Sequence, residues 1–439
     1  MRRRAAIAIG IFAASEAHAG VPDVFGLGSE ATAQGGAVAA SASGFEAVHY
    51  NPASLSAGSG NSVAVGWLGY ASQLEIREDT AEIAEPQGLL LGLTRSIAMF
   101  GRENGLRLGA GFYVLPDTIV RVLTTFPDEP QYPWFHNRTQ RLVVLPGAAL
   151  RLTDALSVGA SANVFAGLSG PARATDGPTR ALETSVAEEI FLRMSFAVGA
   201  RLAVHPEVAW AIAYRHEFFV PYAIQTSNIV GGSSLDIDVE AIGLYTPPEL
   251  VVGTSWTPPG WTFGLDFTWK AWSGNDRNFV LVESRLPGIG ALDPGLPPSP
   301  FRDSFDVRVG GERELPLSGG DSLFLRAGAW FEPTPVLPQT GRTNLLDGDH
   351  LVGSIGAGVR LADLLEVPLR IDVHGQWHEI LPRTYRKEVH ARSDDPWALA
   401  DERPGEGAPG IQVSNPGYPQ IEAGGRVLSA GCVVTLEVR

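Results

Sequence analysis

From Ser62 to the end of the chain, apolar and polar residues alternate with a period of two. In residues 261–272, Trp261, Phe263, Leu265, Phe267, Trp269 and Ala271 fall on one face, and Thr262, Gly264, Asp266, Thr268 and Lys270 on the other. Residues 369–378 repeat the pattern, with Leu369, Ile371, Val373, Gly375 and Trp377 opposing Arg370, Asp372, His374, Gln376 and His378. Phe305, Val307 and Val309 oppose Asp306, Arg308 and Gly310, and the last segment sets Leu428, Ala430, Cys432, Val434, Leu436 and Val438 on one face. This is the periodicity of β-strands with two unlike faces. A soluble sandwich turns its apolar face inward, whereas an outer-membrane barrel turns it toward lipid.

Three features favour the barrel. Alternating runs of ten or more residues match a tilted membrane-spanning strand of ~9–11 residues better than the usual ~5–6. Aromatic residues sit at the ends of apolar faces: Trp261 and Trp269 are separated by about 20 Å of height at ~3.3 Å per residue and a ~40° tilt. Connections also alternate in length. Short turns fall at 102–104, 153–154, 205–206, 258–259, 316–320 and 362–366, and long loops at 117–137, 168–185, 273–301, 332–349 and 381–420. Short periplasmic turns and long extracellular loops are the habit of outer-membrane barrels. The strands expected are 61–76, 87–99, 105–116, 138–152, 155–168, 186–204, 207–224, 235–257, 260–272, 302–315, 321–332, 350–361, 367–380 and 421–438. That is an all-β transmembrane antiparallel barrel of about 14 strands, an even number that puts both termini on the short-turn side. Pro247 and Pro248 interrupt strand 235–257, so it divides if a second piece begins after them.

Residues 1–19 have the layout of a signal peptide. Arg2, Arg3 and Arg4 precede an apolar stretch from Ala5 to Ala14 that is too short to span as a helix, and Ala17-His18-Ala19 supplies an A-x-A cleavage pattern. Residues 20–60 are rich in Gly, Ala and Ser with no sustained period, which suits a plug, or hatch, packed inside a barrel formed by residues 61–439.

Composition changes the picture in three ways. Glycine is 51 of 439 residues and proline 32, too many for a strongly helical chain. The net charge of −15 argues against nucleic acid as a partner. The single cysteine, Cys432, excludes an intramolecular disulfide and cysteine-ligated metal sites. The mean hydropathy of +0.05 resembles that of a soluble protein. A barrel reaches the same average, because each strand is half polar and the loops are polar.

Several motifs invite chemistry. Gly26-Leu27-Gly28-Ser29-Glu30-Ala31 matches G-x-G-x-x-A, with Glu46 further on, but neither a proper strand before it nor a βαβ pattern after it is present. His374 and His378 would share a lumen face about 13 Å apart on a strand, too far for one ion at ~3.3 Å per residue. Asp303, Asp306, Glu312 and Glu314 lie where lumen positions must be polar anyway, and no Gly-x-Ser-x-Gly elbow is present. The chain is therefore read as no enzyme, with no cofactor and no metal. Loop 117–137 is unusually apolar, with Phe126, Tyr132, Trp134 and Phe135, and so is loop 273–301. These loops either form a capture surface for an apolar ligand or pack together over the barrel mouth.

At Phe25-Gly26-Leu27-Gly28-Ser29, Gly35-Gly36-Ala37 and Tyr50-Asn51-Pro52-Ala53 the chain resembles the FadL/TodX family of outer-membrane transporters for hydrophobic compounds. The likeness continues at Pro248-Glu249-Leu250 with Gly253, at 265–273, at 325–330 with Pro335-Val336, and at 354–358. The resemblance implies a 14-stranded barrel with an N-terminal hatch that passively moves long-chain fatty acids or aromatic hydrocarbons. Ligand would be caught at the extracellular loops, pass to a lumen pocket, and leave sideways into the membrane through a kink in the third strand. On this sequence the hatch motif is Asn51, Pro52 and Ala53. The third-strand kink would fall at Gly109, Gly111 and Pro116, and lumen arginines Arg308, Arg326 and Arg360 could meet a carboxylate head group. The expected partners are a hydrophobic small-molecule ligand, outer-membrane lipid and the barrel-assembly machinery, and the chain is expected to be a monomer. Two rivals stand beside this reading: a structural or adhesive barrel binding a macromolecule through its long loops, and a water-filled porin, which would lack the plug.

Overall fold

The computed structural model describes residues 24–77, 79–81, 83, 87–114, 129–136, 142–169, 172–176, 182–186, 189–230, 233–275, 281–286, 290–292, 301–338, 344–364, 367–386 and 420–438. The proposed signal peptide, Pro116, Phe126, and most of loops 273–301 and 381–420 lie outside the described residues.

Fourteen strands make one closed antiparallel ring: β1 (Asn61–Ile76), β2 (Gln87–Met99), β3 (Arg102–Val114), β4 (Val143–Arg151), β5 (Leu156–Ser169), β6 (Glu189–His205), β7 (Val208–Arg215), β8 (Glu249–Trp256), β9 (Trp261–Lys270), β10 (Ser304–Pro316), β11 (Ser322–Glu332), β12 (His350–Leu364), β13 (Val367–Arg386) and β14 (Gln420–Val438). Each pairs with its sequence neighbour, and β1 closes the ring by pairing with both β14 and β2. Closure leaves no open sheet edge, which a bilayer requires because it offers no water to unpaired backbone groups.

The first two strands have the bounds their alternation predicts. The first short turn does not. It is Phe100-Gly101, both at positive φ (52° and 74°), which is the backbone of a two-residue hairpin turn. The seventh and eighth strands are shorter than expected. β7 stops at Arg215, and the apolar alternation that follows builds a separate hairpin from Phe218–Val230 and Ser233–Thr246. Pro247 and Pro248 then separate that hairpin from β8, as prolines that cannot donate to a ladder should.

The outer face is apolar and the inner face polar. Phe263, Leu265 and Phe267 are exposed, while Asp266, Thr268 and Lys270 between and beyond them are buried. Trp210, Trp256 and Trp261 ring the short-turn end, and Phe305, Phe331 and Trp377 the other, which makes two aromatic girdles. No described helix is long and apolar enough to cross a membrane, and the crossing is made by strands.

The lumen is filled by residues 24–60, called the hatch below. It contains the helices Ser29–Ala33 and Ala47–Tyr50 and a 3-10 helix, Pro52–Ala57, and its buried side chains include Phe25, Leu27, Phe45, Val48 and Leu55. Helix Ser29–Ala33 packs on β11 to β13, and the 3-10 helix on β3 to β6. The hatch therefore bridges opposite walls of the ring.

Candidate functional site

The Asn-Pro-Ala motif fastens the hatch to the wall. Asn51 is fully buried and caps the 3-10 helix: its Oδ1 accepts the Ala53 N–H at 3.1 Å, and Pro52 takes the first position, where an N–H is not needed. Asn51 Nδ2 donates to the Ala39 carbonyl at 3.0 Å within the hatch and to the Ala200 carbonyl at 3.3 Å on β6. An aspartate could not donate, and a serine could not reach all three groups. A Cβ placed on Gly199 would strike Asn51 Oδ1, and one on Gly159 would strike Pro52 and Ala53 backbone atoms.

Those two glycines belong to a belt of inward-facing glycines at the level of the hatch. Gly264, Gly310 and Gly328 touch hatch backbone at Ala37, Gln34 and Gln34 again, and Gly109 lies against Leu55 and Val48. Side chains at these sites would hold the hatch off the wall. Much of the glycine excess in the sequence serves this close approach.

The same observation corrects the reading of the third strand. β3 is paired without a break across Gly109 and Gly111, to β2 on one side and β4 on the other, and no bulge occurs there. Both glycines point inward at the hatch, Gly111 toward Leu27 at 3.1 Å, so close packing rather than a kink explains them. One interruption of the described wall lies one seam further on, and another lies between β13 and β14 at Leu381 and Pro382. β4 and β5 pair at Val144↔Val164 and resume at Gly147↔Ser161, with Leu145 and Pro146 between them making no ladder pair to β5. Pro146 has no N–H to give.

The lumen wall carries charges that are already matched. Lys270 Nζ lies 3.0 Å from Asp306 Oδ2 and 2.6 Å from Glu332 Oε2. Arg308 binds both Asp306 oxygens at 3.1 Å. Arg326 pairs with Glu312 at 2.6 Å and Asp372 at 2.8 Å, and Arg360 with Glu437 at 2.9 Å. The three arginines expected to meet a head group are thus engaged with wall carboxylates. Buried ion pairs of this kind are weak evidence of stability, but removing one partner strands the other charge. Other polar groups hold the hatch: Asp266 accepts the Ala39 N–H at 2.8 Å, Arg370 lies 2.7 Å from Glu30, Arg215 donates to the His49 carbonyl at 2.6 Å, and His374 Nδ1 is 2.9 Å from Ser29 Oγ. His374 therefore serves docking, and its partner on the hatch was not legible from the strand pattern alone.

The aromatic loop residues are buried, not spread on the surface. Tyr132, Trp134 and Phe135 are at most 7% exposed. The Tyr132 hydroxyl lies 2.6 Å from the Glu75 carbonyl and accepts the Gly424 N–H at 2.7 Å, so it ties the loop to β1 and β14. Gln131 and Leu346 join this loop to the 344–346 segment at 2.8 Å. Of the two readings of loop 117–137, the described part shows packing over the barrel mouth. Trp134 stacks near Trp272 (4.3 Å between ring centres) and Phe301 (5.6 Å). Its chain neighbour Phe135 lies 6.5 Å from Phe25 of the hatch, which in turn lies 4.4 Å from Tyr70 and 5.3 Å from His378. Rings therefore lie from the loop over the barrel mouth to the N-terminal end of the hatch, with Trp134 and Phe135 adjacent in the chain, and they belong to one apolar cluster with Leu27, Phe45, Val48 and Leu55.

A closed antiparallel ring with an apolar exterior, two aromatic girdles and a polar, plugged interior is a transmembrane β-barrel of the bacterial outer membrane. Within that class the chain has the fold of the FadL/TodX barrels. It superposes on the Pseudomonas putida toluene transporter TodX with a TM-score of 0.58 at 15% identity, covering 95% of this chain and 100% of that one. A Pseudomonas aeruginosa FadL homologue matches with a TM-score of 0.51 at 12% identity, covering 97% and 98%. In sequence the chain is similar to Alkane uptake protein A of Marinobacter nauticus, 23% identical over 374 residues, which is 77% of this chain and 79% of that protein. No family model matches the chain.

Proposed function

We propose that this chain is a passive outer-membrane channel for hydrophobic small molecules, hydrocarbons or long-chain fatty acids, which releases them sideways into the membrane. The observation that carries the reading is the run of rings from Trp134 and Trp272 through Phe135 to Phe25. These rings are buried against one another, so an apolar solute gains ring faces as it parts them, whereas a polar one gains nothing. The similar proteins are named for toluene and alkane uptake, which supports the same class of ligand.

Sideways release follows the energetics of the cargo. A chain gains about 0.8 kcal/mol per buried CH₂, which exit into aqueous periplasm would forfeit and exit into lipid would keep. The ladder gap at Leu145 and Pro146 lies beside the hatch, where Gly147 meets Val48, whereas the gap at Leu381 and Pro382 lies toward the long-loop end, so the lateral exit is assigned to the first of these rather than to β3. Asn51, Pro52 and Ala53 hold the hatch shut until ligand displaces it.

Photo-crosslinking tests the path. A diazirine-bearing hydrocarbon incubated with the purified barrel should label peptides containing Phe25 and Trp134-Phe135, and toluene should compete while a sugar does not. Label confined to lipid-facing residues such as Trp210 and Phe263 would remove the reading.

A further inference from the structure

We propose that the lipid-facing side of β9 to β11 holds one anionic glycerophospholipid, with its phosphate on Arg313 and an acyl chain in the groove beside it. The site is on the outside of the ring and does not depend on what passes through the inside.

Arg313 stands on the outer face of β10, in step with Val307, Val309 and Gly311. Its pair partners are Trp261 and Leu325, which puts it in the girdle at the short-turn end. A charge facing lipid is costly at the midplane and tolerated at that height. The guanidinium lies over the Trp261 ring, 4.7 Å from its centre, and Nη1 donates to the Gly260 carbonyl at 3.2 Å. Those contacts fix its plane. No described residue bonds the edge formed by Nε and Nη2, and no described carboxylate pairs with the side chain. That edge offers two parallel N–H groups to two oxygens of one phosphate. The lipid-facing neighbours Trp261, Phe263, Leu323 and Leu325 carry no acid, so the local charge is positive and favours an anionic head group over a zwitterionic one. Short turns face the periplasm, and the leaflet on that side of an outer membrane is made of glycerophospholipid.

Beside Arg313 the outer face is hollow. A groove of about 760 Å³ runs over β10 and β11, with Ala327 and Ala329 in its floor. One side is Trp261 stacked on Phe263 at 5.5 Å, and Phe263 leans over Gly311, where a Cβ would come within 3.3 Å of its ring. Leu325 and Ile355, both exposed, stand on the other side. The hollow continues past Ala329 to its pair partner Gly353, where a Cβ would meet nothing. An acyl chain lying here touches wall on three sides rather than one, and its dispersion contacts add up along its length. The wall is equally bare on its inner side. Gly310 and Gly328 touch the Gln34 backbone, and a Cβ on Gly35 would come within 2.9 Å of the Ala329 nitrogen. A single backbone layer therefore separates hatch from lipid, and a chain seated in the groove backs the wall where the hatch leans on it.

Photolabelling of the full-length barrel in phosphatidylethanolamine vesicles tests the site, using a trace of phosphatidylglycerol that carries a diazirine midway along one chain. In the wild type, residues 309–313 and 325–329 should take about fivefold more label than the lipid-facing stretch 89–93 of β2, the scale of one arginine at an anionic head group. Arg313→Gln should bring the two regions level, and Arg313→Lys should keep most of the excess. Ala327→Leu should fill the floor and lower the label with Arg313 still in place. A phosphatidylethanolamine probe with the same diazirine should show a smaller excess in the groove. Unchanged heat-modifiable gel mobility certifies the fold of each variant. Even labelling of the two regions in the wild type, an excess that survives Arg313→Gln, or the same excess with both probes overturns the site.

Discussion

Replacing Asn51 with alanine should loosen the hatch and leave the ring intact. The substitution removes three hydrogen bonds, at 3.1, 3.0 and 3.3 Å. The Ala39 carbonyl keeps a second donor, Ser54 Oγ at 2.6 Å, and Ala200 keeps its ladder partners on both neighbouring strands, so the group newly stranded is the Ala53 N–H. A buried polar group left without a partner costs about 1–3 kcal/mol, so the docked hatch should lose about that much. At 1.4 kcal/mol per factor of ten, the undocked population should rise by about 5-fold to 150-fold. None of the ring's ladder bonds involves Asn51. Amide hydrogen exchange followed by mass spectrometry is the direct assay, because exchange rates report opening free energies segment by segment. Exchange across residues 29–57 should accelerate by that factor while β9 to β14 stay unchanged, and planar-bilayer recordings should show more frequent openings. Unchanged exchange in the hatch, with the fold preserved, would refute the view that Asn51 is its fastening.

Three further outcomes follow from the same contacts. The Glu46 carboxyl, held at about 7 in the docked hatch against an ordinary 4.5, contributes docking stability that is complete below about pH 4.5 and is lost as pH rises through about 7. Hatch exchange should therefore quicken across that window and level off above it, and Glu46→Gln should flatten the profile. Gly159→Val would drive a side chain into Pro52 and Ala53 and should cost the docked hatch about 1–3 kcal/mol, read as faster exchange of residues 52–57. Pro146→Val would restore a ladder donor to β4 and should slow hydrocarbon transfer into the bilayer severalfold with ligand binding unchanged, whereas equal transfer rates would dissociate the β4–β5 seam from release.

The ring was legible because a strand's two faces have a period of two that survives without tertiary information. β1 and β2 came out at their expected bounds, and the outward and inward sets of β9 and β13 are as their alternation predicts. What failed depends on contacts between distant segments. Gly109 and Gly111 suggest a kink when only their own strand is considered, and the real cause, Leu55, Val48 and Leu27 of the hatch, is more than 50 residues away. Arg326 looks available to a ligand until Glu312 arrives from the neighbouring strand β10 and Asp372 from β13, two strands away, although Asp306 beside Arg308, two residues away on one face, was a readable hint. Tyr132, Trp134 and Phe135 could not be told from a surface patch, because burial of a loop depends on where its tip lands.

The central claim is that the lumen passes apolar molecules and holds back polar ones. It is tested most directly by uptake in cells whose outer membrane lacks channels of its own for either solute. Cells carrying this chain should take up radiolabelled toluene or dodecane faster than empty-vector cells and show no gain for a labelled trisaccharide, and deletion of residues 24–57 should open the barrel to the sugar. Trisaccharide uptake by the intact chain with no gain for the hydrocarbons would contradict the account.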